Sequence, residues 1–416
     1  LETEPREATA AATVPSQVPA LAYGGDLPAN AHTLQTLPEL LLRAAREVTG
    51  QRITYLTPDG TESQQSYAEL LAEAEHILGG LRSLGLKPQD KVIFQLELTQ
   101  DIIPAFWGCV LGGFIPVIMS PPPSYQDSNS GVEKLCNVWK LLDSPLILTG
   151  ANNLTQAQHL SQWLPADALK IQSIDALRGH RADQSYHTCQ PHDLAFFNLT
   201  SGSTGMPKCI GLTHWNLISR AIGTNMLCQH TADDVILNWL PFDHIGSISD
   251  WHVRCVYLGC TLIYTVKEYV LGAPLNWLDL IDRYRITHSW APNFAYALVN
   301  DALKQADTQY TWDLSCVKSL LTAGEAVSST AVEDFISNLS EYGFKKTAIR
   351  PAFGMAEMGS GVTYYQPTEA EPITRHIVDK ASLGGHNQAG QRRSSQLFRL
   401  YRLGAGDSGS LNSNCG

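Results

Sequence analysis

The run Leu199-Thr-Ser-Gly-Ser-Thr-Gly-Met-Pro-Lys208 gathers the groups that hold a polyphosphate. Closely spaced backbone N–H groups, the hydroxyls of Thr200, Ser201, Ser203 and Thr204, and the Lys208 ammonium can all meet phosphate oxygens. Gly202 and Gly205 let the backbone approach the anion, and Lys208 adds a point charge for a β- or γ-phosphate. The spacing is not that of a Walker A loop, because Met206-Pro207 separate Gly205 from Lys208 and Cys209 follows. A P-loop phosphotransferase is therefore disfavoured. Taken alone, a Ser/Gly stretch serves equally as a flexible linker. The apolar run Leu194-Ala195-Phe196-Phe197 before it argues for a phosphate loop instead. So does Thr213, which reads as a helix N-cap and places a helix start close to the loop.

LTSGSTGMPK followed by LTHWNL closely resembles the phosphate-loop signature of the adenylate-forming superfamily. That superfamily includes acyl-CoA synthetases, luciferases, fatty acyl-AMP ligases and the adenylation domains of peptide and polyketide synthases. The resemblance implies ATP and Mg²⁺ as cofactors and a carboxylic acid as substrate. Joining one anion to another must be screened, so such a site needs a phosphate cradle, a metal ligand and a polar group near the carboxylate. By resemblance, the cradle is Thr200, Ser201, Gly202, Ser203, Thr204, Gly205 and Lys208, with Thr204 also near the metal.

Further segments follow in the superfamily's order. Phe353-Gly354-Met355-Ala356-Glu357 resembles its aromatic-Gly-x-[Ser/Thr/Ala]-Glu segment. This implies Phe353 over the adenine and Glu357 on Mg²⁺, for which one carboxylate plus phosphate oxygens suffices. The usual Tyr is Phe353 and the usual Thr is Ala356, so one hydroxyl contact is missing. Leu320 to Val327 resembles the adenine-cupping segment, with Gly324, Glu325 and Ala326 at its centre. Trp239-Leu-Pro-Phe-Asp-His-Ile-Gly246 resembles the L-P-x-x-H segment of acyl-activating members, whose His lines the acyl pocket. That implies a pocket at His244, Ile245 and Gly246, with Asn293 and Phe294 of Ser289–Phe294 as further wall.

Amino-acid-activating relatives carry Phe-Asp where His244-Ile245 stands. Asp243 falls one residue early and should point elsewhere, so the acid is expected to be fatty, aryl, hydroxy or keto rather than α-amino. Without the resemblance, Glu357 reads as a surface residue, Thr322–Glu325 as a turn, and His244 as a core histidine.

The elements expected to carry these segments alternate. Helices are expected over Leu37–Val48, Tyr67–Leu84 (capped by Ser66 with Glu69), Ile102–Leu111, 131–142 and 155–164. Strands are expected at Ile53–Leu56, Lys91–Leu96, Ile115–Met119, Leu146–Leu148 and Leu169–Ile171. Such alternation predicts an α/β fold with a parallel sheet covered on both faces. The resemblance sharpens this to the large N-terminal domain of the adenylate-forming fold, two mostly parallel sheets sandwiched by helices, truncated before the small C-terminal domain.

The expected organisation is a flexible linker over 1–30, the incomplete large domain over 31–385, and a non-homologous, poorly ordered tail over 386–416. The superfamily's ribose-binding Asp, hinge and terminal catalytic Lys do not follow. Gly406-Asp407 lacks the strand and aromatic context of that Asp. On these grounds the isolated chain is expected to adenylate weakly or not at all, an inactive fragment being the alternative.

Codons for Phe398 to Gly416 can be chosen so that a reading one base later gives FDFTDLGLAIPGVSIRIV, which resembles the superfamily's next strand pair. The tail is then a frameshifted continuation. Nucleotide sequence through these codons checks this, and the expected result is a shifted frame encoding that string and running on into a Lys-bearing domain. A shifted frame that encodes something else ends the idea.

Composition sets the outer limits. The chain has 416 residues, 44% of them hydrophobic, and a formal charge of −11 with no basic block. That suits a large core and argues against a nucleic-acid partner. No apolar run reaches the ~18–20 residues of a membrane span, since Pro104, Gly108, Gly112, Gly113 and Pro116 interrupt the most apolar stretch. Nine scattered cysteines without a C-x-x-C pair suit reduced thiols and a cytoplasmic location. Ile115–Pro123 and Phe353–Tyr365 look most like domains that load acids onto carrier proteins in polyketide–peptide assembly lines. The expected acceptor is therefore a carrier-protein phosphopantetheine thiol, with coenzyme A (an acyl-CoA synthetase) as the alternative.

Overall fold

A computed structural model describes residues 26–29, 31–200, 207–307, 309–370, 373, 375–379 and 397–401. The expected linker and tail, and the loop residues Ser201, Gly202, Ser203, Thr204 and Gly205, lie largely or wholly outside these. Within the tail, the described Leu397–Tyr401 forms a strand antiparallel to Arg375–Asp379.

Two sheets organise the chain. The larger runs Ser360–Tyr364, Ile349–Met355, Ser319–Thr322, His288–Ala291, Val235–Asn238, Thr261–Tyr264, Ile53–Leu56 and Glu62–Gln65 in spatial order. Its six inner strands are parallel, and a short antiparallel strand closes each edge. The smaller sheet runs Ile171–Ser173, Leu146–Thr149, Lys91–Gln95, Ile115–Ile118, Leu194–Thr200 and Lys208–Thr213, antiparallel only at the last pair.

Alternation along the strands explains the layering. Val92 and Phe94 face the layer between the sheets, where Leu262 and Tyr264 of the larger sheet also point. Ile93 faces outward to the helix Ser130–Leu141, and Ile263 outward to Asn276–Tyr284. Strands buried on both faces read as continuous apolar runs. The helices Leu37–Glu47, Tyr67–Ser83, Thr99–Gly112 and His214–Cys228 fill the middle layer. No helix among the described residues is long and apolar enough to cross a membrane.

Most expected elements form within a few residues of their expected bounds, including the Ser66 cap, whose hydroxyl accepts the Glu69 N–H at 3.1 Å. Pro104 stays inside its helix because its missing N–H frees the Gln100 carbonyl, and Arg178 Nη2 donates to that oxygen at 3.1 Å. Residues 155–164 differ. They divide into a short α turn, Leu154–Ala157, and a 3-10 turn, Gln158–Gln162. Glu62–Gln65, with no apolar residue, is a strand because it borrows its ladder from Ile53–Leu56.

Candidate active site

Thr200 and Lys208 face each other across the last rung of an antiparallel ladder, so the phosphate-loop residues between them join two strands. This corrects one expectation. Lys208–Thr213 is a strand, and Thr213 pairs with Leu194 at the far end of the ladder. Thr213 does cap the helix His214–Cys228, its Oγ1 accepting the Asn216 N–H at 3.1 Å. At ~3.3 Å per strand residue, that helix terminus lies a strand's length from the loop and cannot lend its dipole there.

The other four segments emerge from the larger sheet at one edge. Val235–Asn238, His288–Ala291, Ser319–Thr322 and Ile349–Met355 are adjacent and parallel. Their carboxyl ends lead into Trp239–Gly246, Pro292–Phe294, Ala323–Ala326 and Phe353–Glu357 respectively. Ligands of open α/β sheets bind beyond the carboxyl ends of the strands. A cavity of ≈670 Å³ beside Val235, Thr287, Lys318 and Ala348 lies at the opposite, amino edge.

Ile349–Met355 turns back through Ala356–Met358 into Ser360–Tyr364, with a register shift at Phe353/Gly354. The turn requires glycine: a Cβ on Gly354 would lie 2.5 Å from the Ser360 carbonyl oxygen, and Gly359 takes φ +70°. It packs against the strand Leu194–Thr200, one of the two strands of the hairpin that carries Thr200 and Lys208. Glu357 is exposed and has no hydrogen bond or ion pair among the described residues. Phe353 is 51% exposed and Met355 43%, so the bend offers solvent one carboxylate and an apolar face. This donor set fits a phosphate-bound Mg²⁺, which favours one or two carboxylates plus phosphate oxygens.

Gly324 has φ +87°, and Glu325 accepts the Phe294 N–H at 2.7 Å. Asn293 is buried, and its Oδ1 accepts the Ser328 N–H at 3.1 Å. Asn293 thus serves to hold the 323–328 segment. Phe294 is 44% exposed on its helix.

His244 caps the helix Ile245–Ile248, its Nδ1 accepting the Gly246 N–H at 3.1 Å. That bond leaves the proton of a neutral imidazole on Nε2. Desolvation holds the ring below the ordinary 6.5, against the pull of Asp243 and Asp250. A Cβ on Gly246 would lie 2.7 Å from the Trp290 ring, which itself stands 5.2 Å from His244. Asp243 points elsewhere, as its position predicts, and accepts the Ser120 hydroxyl at 2.6 Å.

Sequence reasoning missed a buried polar knot behind these segments. Asp250 Oδ2 accepts from Ser360 Oγ (2.5 Å) and Tyr364 OH (3.1 Å), and Arg220 Nη2 lies 3.6 Å from it. Arg220 also donates to the Tyr364 hydroxyl. The knot ties the returning strand after Glu357 to the helix His214–Cys228. Its sequence signal is weak: one carboxylate, Asp250, in a mainly apolar helical stretch that also carries Ser247, Ser249 and His252.

A family model described as AMP-binding enzyme matches residues 42–382. The chain is similar to the adenylation domain of a keto acid-selecting NRPS module bound to keto acyl adenylate, with TM-score 0.85 and 39% identity over 93% of this chain and 72% of that one. It is also similar to McyG A-PCP complexed with phenylalanyl-adenylate, with TM-score 0.78 and 38% identity over 90% of this chain and 68% of that one. Microperfuranone synthase of Emericella nidulans is 28% identical over 91% of this chain and 40% of its own length. The chain spans about two fifths of the length of the curated relatives it matches. With this match over most of its length, the chain belongs to the AMP-binding enzyme family, a family of adenylate-forming enzymes.

Proposed function

We propose that this site activates a carboxylic acid as its acyl-AMP and that the acyl group then passes to the phosphopantetheine thiol of a carrier protein. One observation carries the reading. Four segments bearing the required groups leave adjacent parallel strands at one edge, and one of them packs against the hairpin that carries Thr200 and Lys208. In the reaction a carboxylate oxygen bonds to the α-phosphorus of ATP and the bond to pyrophosphate breaks. A thiol sulfur then attacks the acyl carbon, its proton is lost, and AMP leaves.

Lys208 meets phosphate charge at the mouth of the loop. Glu357, with hydroxyls of the loop, would hold Mg²⁺, which when bound supplies the charge that screens carboxylate from polyphosphate. Phe353 offers its exposed ring to the adenine, bounded by Gly324–Ala326. The His244 Nε2–H donates toward the reacting carboxylate, while Ile245, Gly246 and Trp290 exclude water beside it. The nearby Asp243 carboxylate is engaged with Ser120 rather than turned to a substrate ammonium. This supports a fatty, aryl, hydroxy or keto acid.

Acid-dependent exchange of pyrophosphate into ATP, run over those acid classes and followed by transfer to carrier thiol or coenzyme A, tests the reading. Release of the γ-phosphate without pyrophosphate would sink it. Transfer to coenzyme A alone would make the chain part of an acyl-CoA synthetase.

The His244 geometry adds a pH prediction. Protonation turns Nδ1 into a donor and breaks its bond from Gly246, so kcat/KM should fall as pH drops through a midpoint below the ordinary 6.5. A pH profile of His244→Ala should lack this limb. A limb that survives in the variant assigns it to another group.

A further inference from the structure

Glu357 sits in a turn that has little of its own to hold it. Met355 pairs with Ser360 across the hairpin, so the turn Ala356–Gly359 hangs between those two posts. Within it, the Gly359 N–H donates to the Ala356 carbonyl at 2.9 Å. The second post is Gly359-Ser360-Gly361, in which only Ser360 carries a side chain. Ser360 takes φ +140°, a region that L residues rarely adopt. Such a conformation persists only where its surroundings impose it.

The group that grips Ser360 comes from another element. Ser360 Oγ donates to Asp250 Oδ2 at 2.5 Å, and the Tyr364 hydroxyl, at the far end of the same strand, donates to that oxygen at 3.1 Å. Asp250 is 4% exposed and Ser360 8%, so water cannot stand in for either partner. Arg220 Nη2 lies 3.6 Å from Oδ2 and balances its charge. Arg254, Arg350 and His230 also stand near, lining a cavity of ≈10 Å³ beside Asp250. Arg254 Nε, however, donates to the Asp250 main-chain carbonyl at 2.8 Å, and Asp250 Oδ1 has no hydrogen-bond partner. The carboxylate therefore acts through Oδ2, on the strand that returns from Glu357.

Asp250 lies on a helical run that starts at His244. The helix Ile245–Ile248, capped by His244, passes without a break into a π turn, Ser249–Val253. A single π turn among α-helical residues is rare and frequently marks a functional site. We propose that Asp250 is a positioning residue for Glu357: by gripping Ser360 it fixes the turn that presents the Glu357 carboxylate to a phosphate-bound Mg²⁺. This rests on the reading of Glu357 as metal ligand given above.

Calorimetric titration of the full chain with ATP, once with Mg²⁺ and once with a chelator, tests this through the affinity that Mg²⁺ adds. In the parent chain Mg²⁺ should tighten ATP binding by about tenfold or more, the worth of one charge-assisted contact, and Glu357→Ala should abolish that gain. Ser360→Ala and Ser360→Gly should each cut the gain to about twofold or less, with the affinity in chelator unchanged. Glycine adopts φ +140° without strain, so a purely structural Ser360 predicts a parental gain in Ser360→Gly, and that result overturns the inference. An equal loss of affinity in Mg²⁺ and in chelator overturns it too. Asp250→Ala should cut the gain at least as far, and a gain kept there counts against the inference in the same way. Thermal melts confirm that each variant folds, and the two Ser360 variants decide alone if Asp250→Ala does not. A gain lost in Glu357→Ala but kept in both Ser360 variants removes this inference and leaves the metal-ligand reading standing. A gain absent from the parent chain, or kept by Glu357→Ala, removes both together.

Discussion

In a protein extended by the superfamily's C-terminal, Lys-bearing domain, Lys208→Ala and Glu357→Ala should each lower acid-dependent ATP–pyrophosphate exchange by about 10²–10³-fold, the usual cost of losing one preorganised charge contact to a transition state. Lys208 stands at the last rung of the hairpin, opposite Thr200, and Glu357 on the turn that packs against the same strand. Both are exposed, so neither side chain contributes burial to the fold. Urea unfolding should therefore place both variants within about 0.5 kcal/mol of the parent chain. Loss of activity with parental stability is the expected pair of results. Unchanged exchange in both variants removes Lys208 and Glu357 from the site. Lost stability in either would show that the side chain is structural.

Asp234→Ala should do the opposite and cost stability, about 1–3 kcal/mol, because it leaves the donors around a buried carboxylate without their acceptor. Asp234 is 1% exposed. It accepts from Lys318 Nζ at 2.6 Å and from the Thr231 N–H at 2.8 Å, with His288 Nε2 at 3.3 Å. Burial alone would raise its pKa, but the His288 and Lys318 contacts and the Thr231 N–H outweigh it and hold the carboxyl below the ordinary 3.8. A carboxyl depressed in the folded state adds stability that is fully present above its unfolded pKa. That stability is lost as pH falls below about 4 toward the folded value. Urea midpoints measured from pH 7 down to pH 3 should therefore fall more steeply for the parent chain than for Asp234→Asn. Parallel curves would mean that Asp234 does not titrate differently in the two states.

The two predictions separate what the chain shows in one dimension from what it shows in three. The phosphate-loop residues, the turn around Glu357 and the His244 segment are legible in sequence because each function needs particular residue types at short spacing. Glycine permits close backbone approach, hydroxyls and an ammonium bind phosphate, and one carboxylate suits a magnesium ion. The α/β layering is legible for a similar reason. Strands such as Lys91–Gln95 and Ile115–Ile118 are buried on both faces and must be apolar throughout, and helix caps such as Ser66 and Thr213 act over three residues.

What the sequence could not determine depends on partners far along the chain. Whether Lys208–Thr213 continues as a strand was settled by its ladder with Leu194–Thr200, not by its own composition. The same holds for the polar strand Glu62–Gln65. Asn293 reads as pocket wall in sequence, yet its amide holds the Ser328 N–H, 35 residues away. Asp250 finds Ser360 and Tyr364 at separations of 110 and 114 residues, which no local spacing rule reaches. Short-range chemistry was therefore written in the sequence by itself, and the tertiary structure alone decided which strand edges converge and which buried polar atoms remain unpaired. The physical reason is that satisfaction of a buried polar group is a property of everything packed around it, and only the folded chain brings that surrounding together.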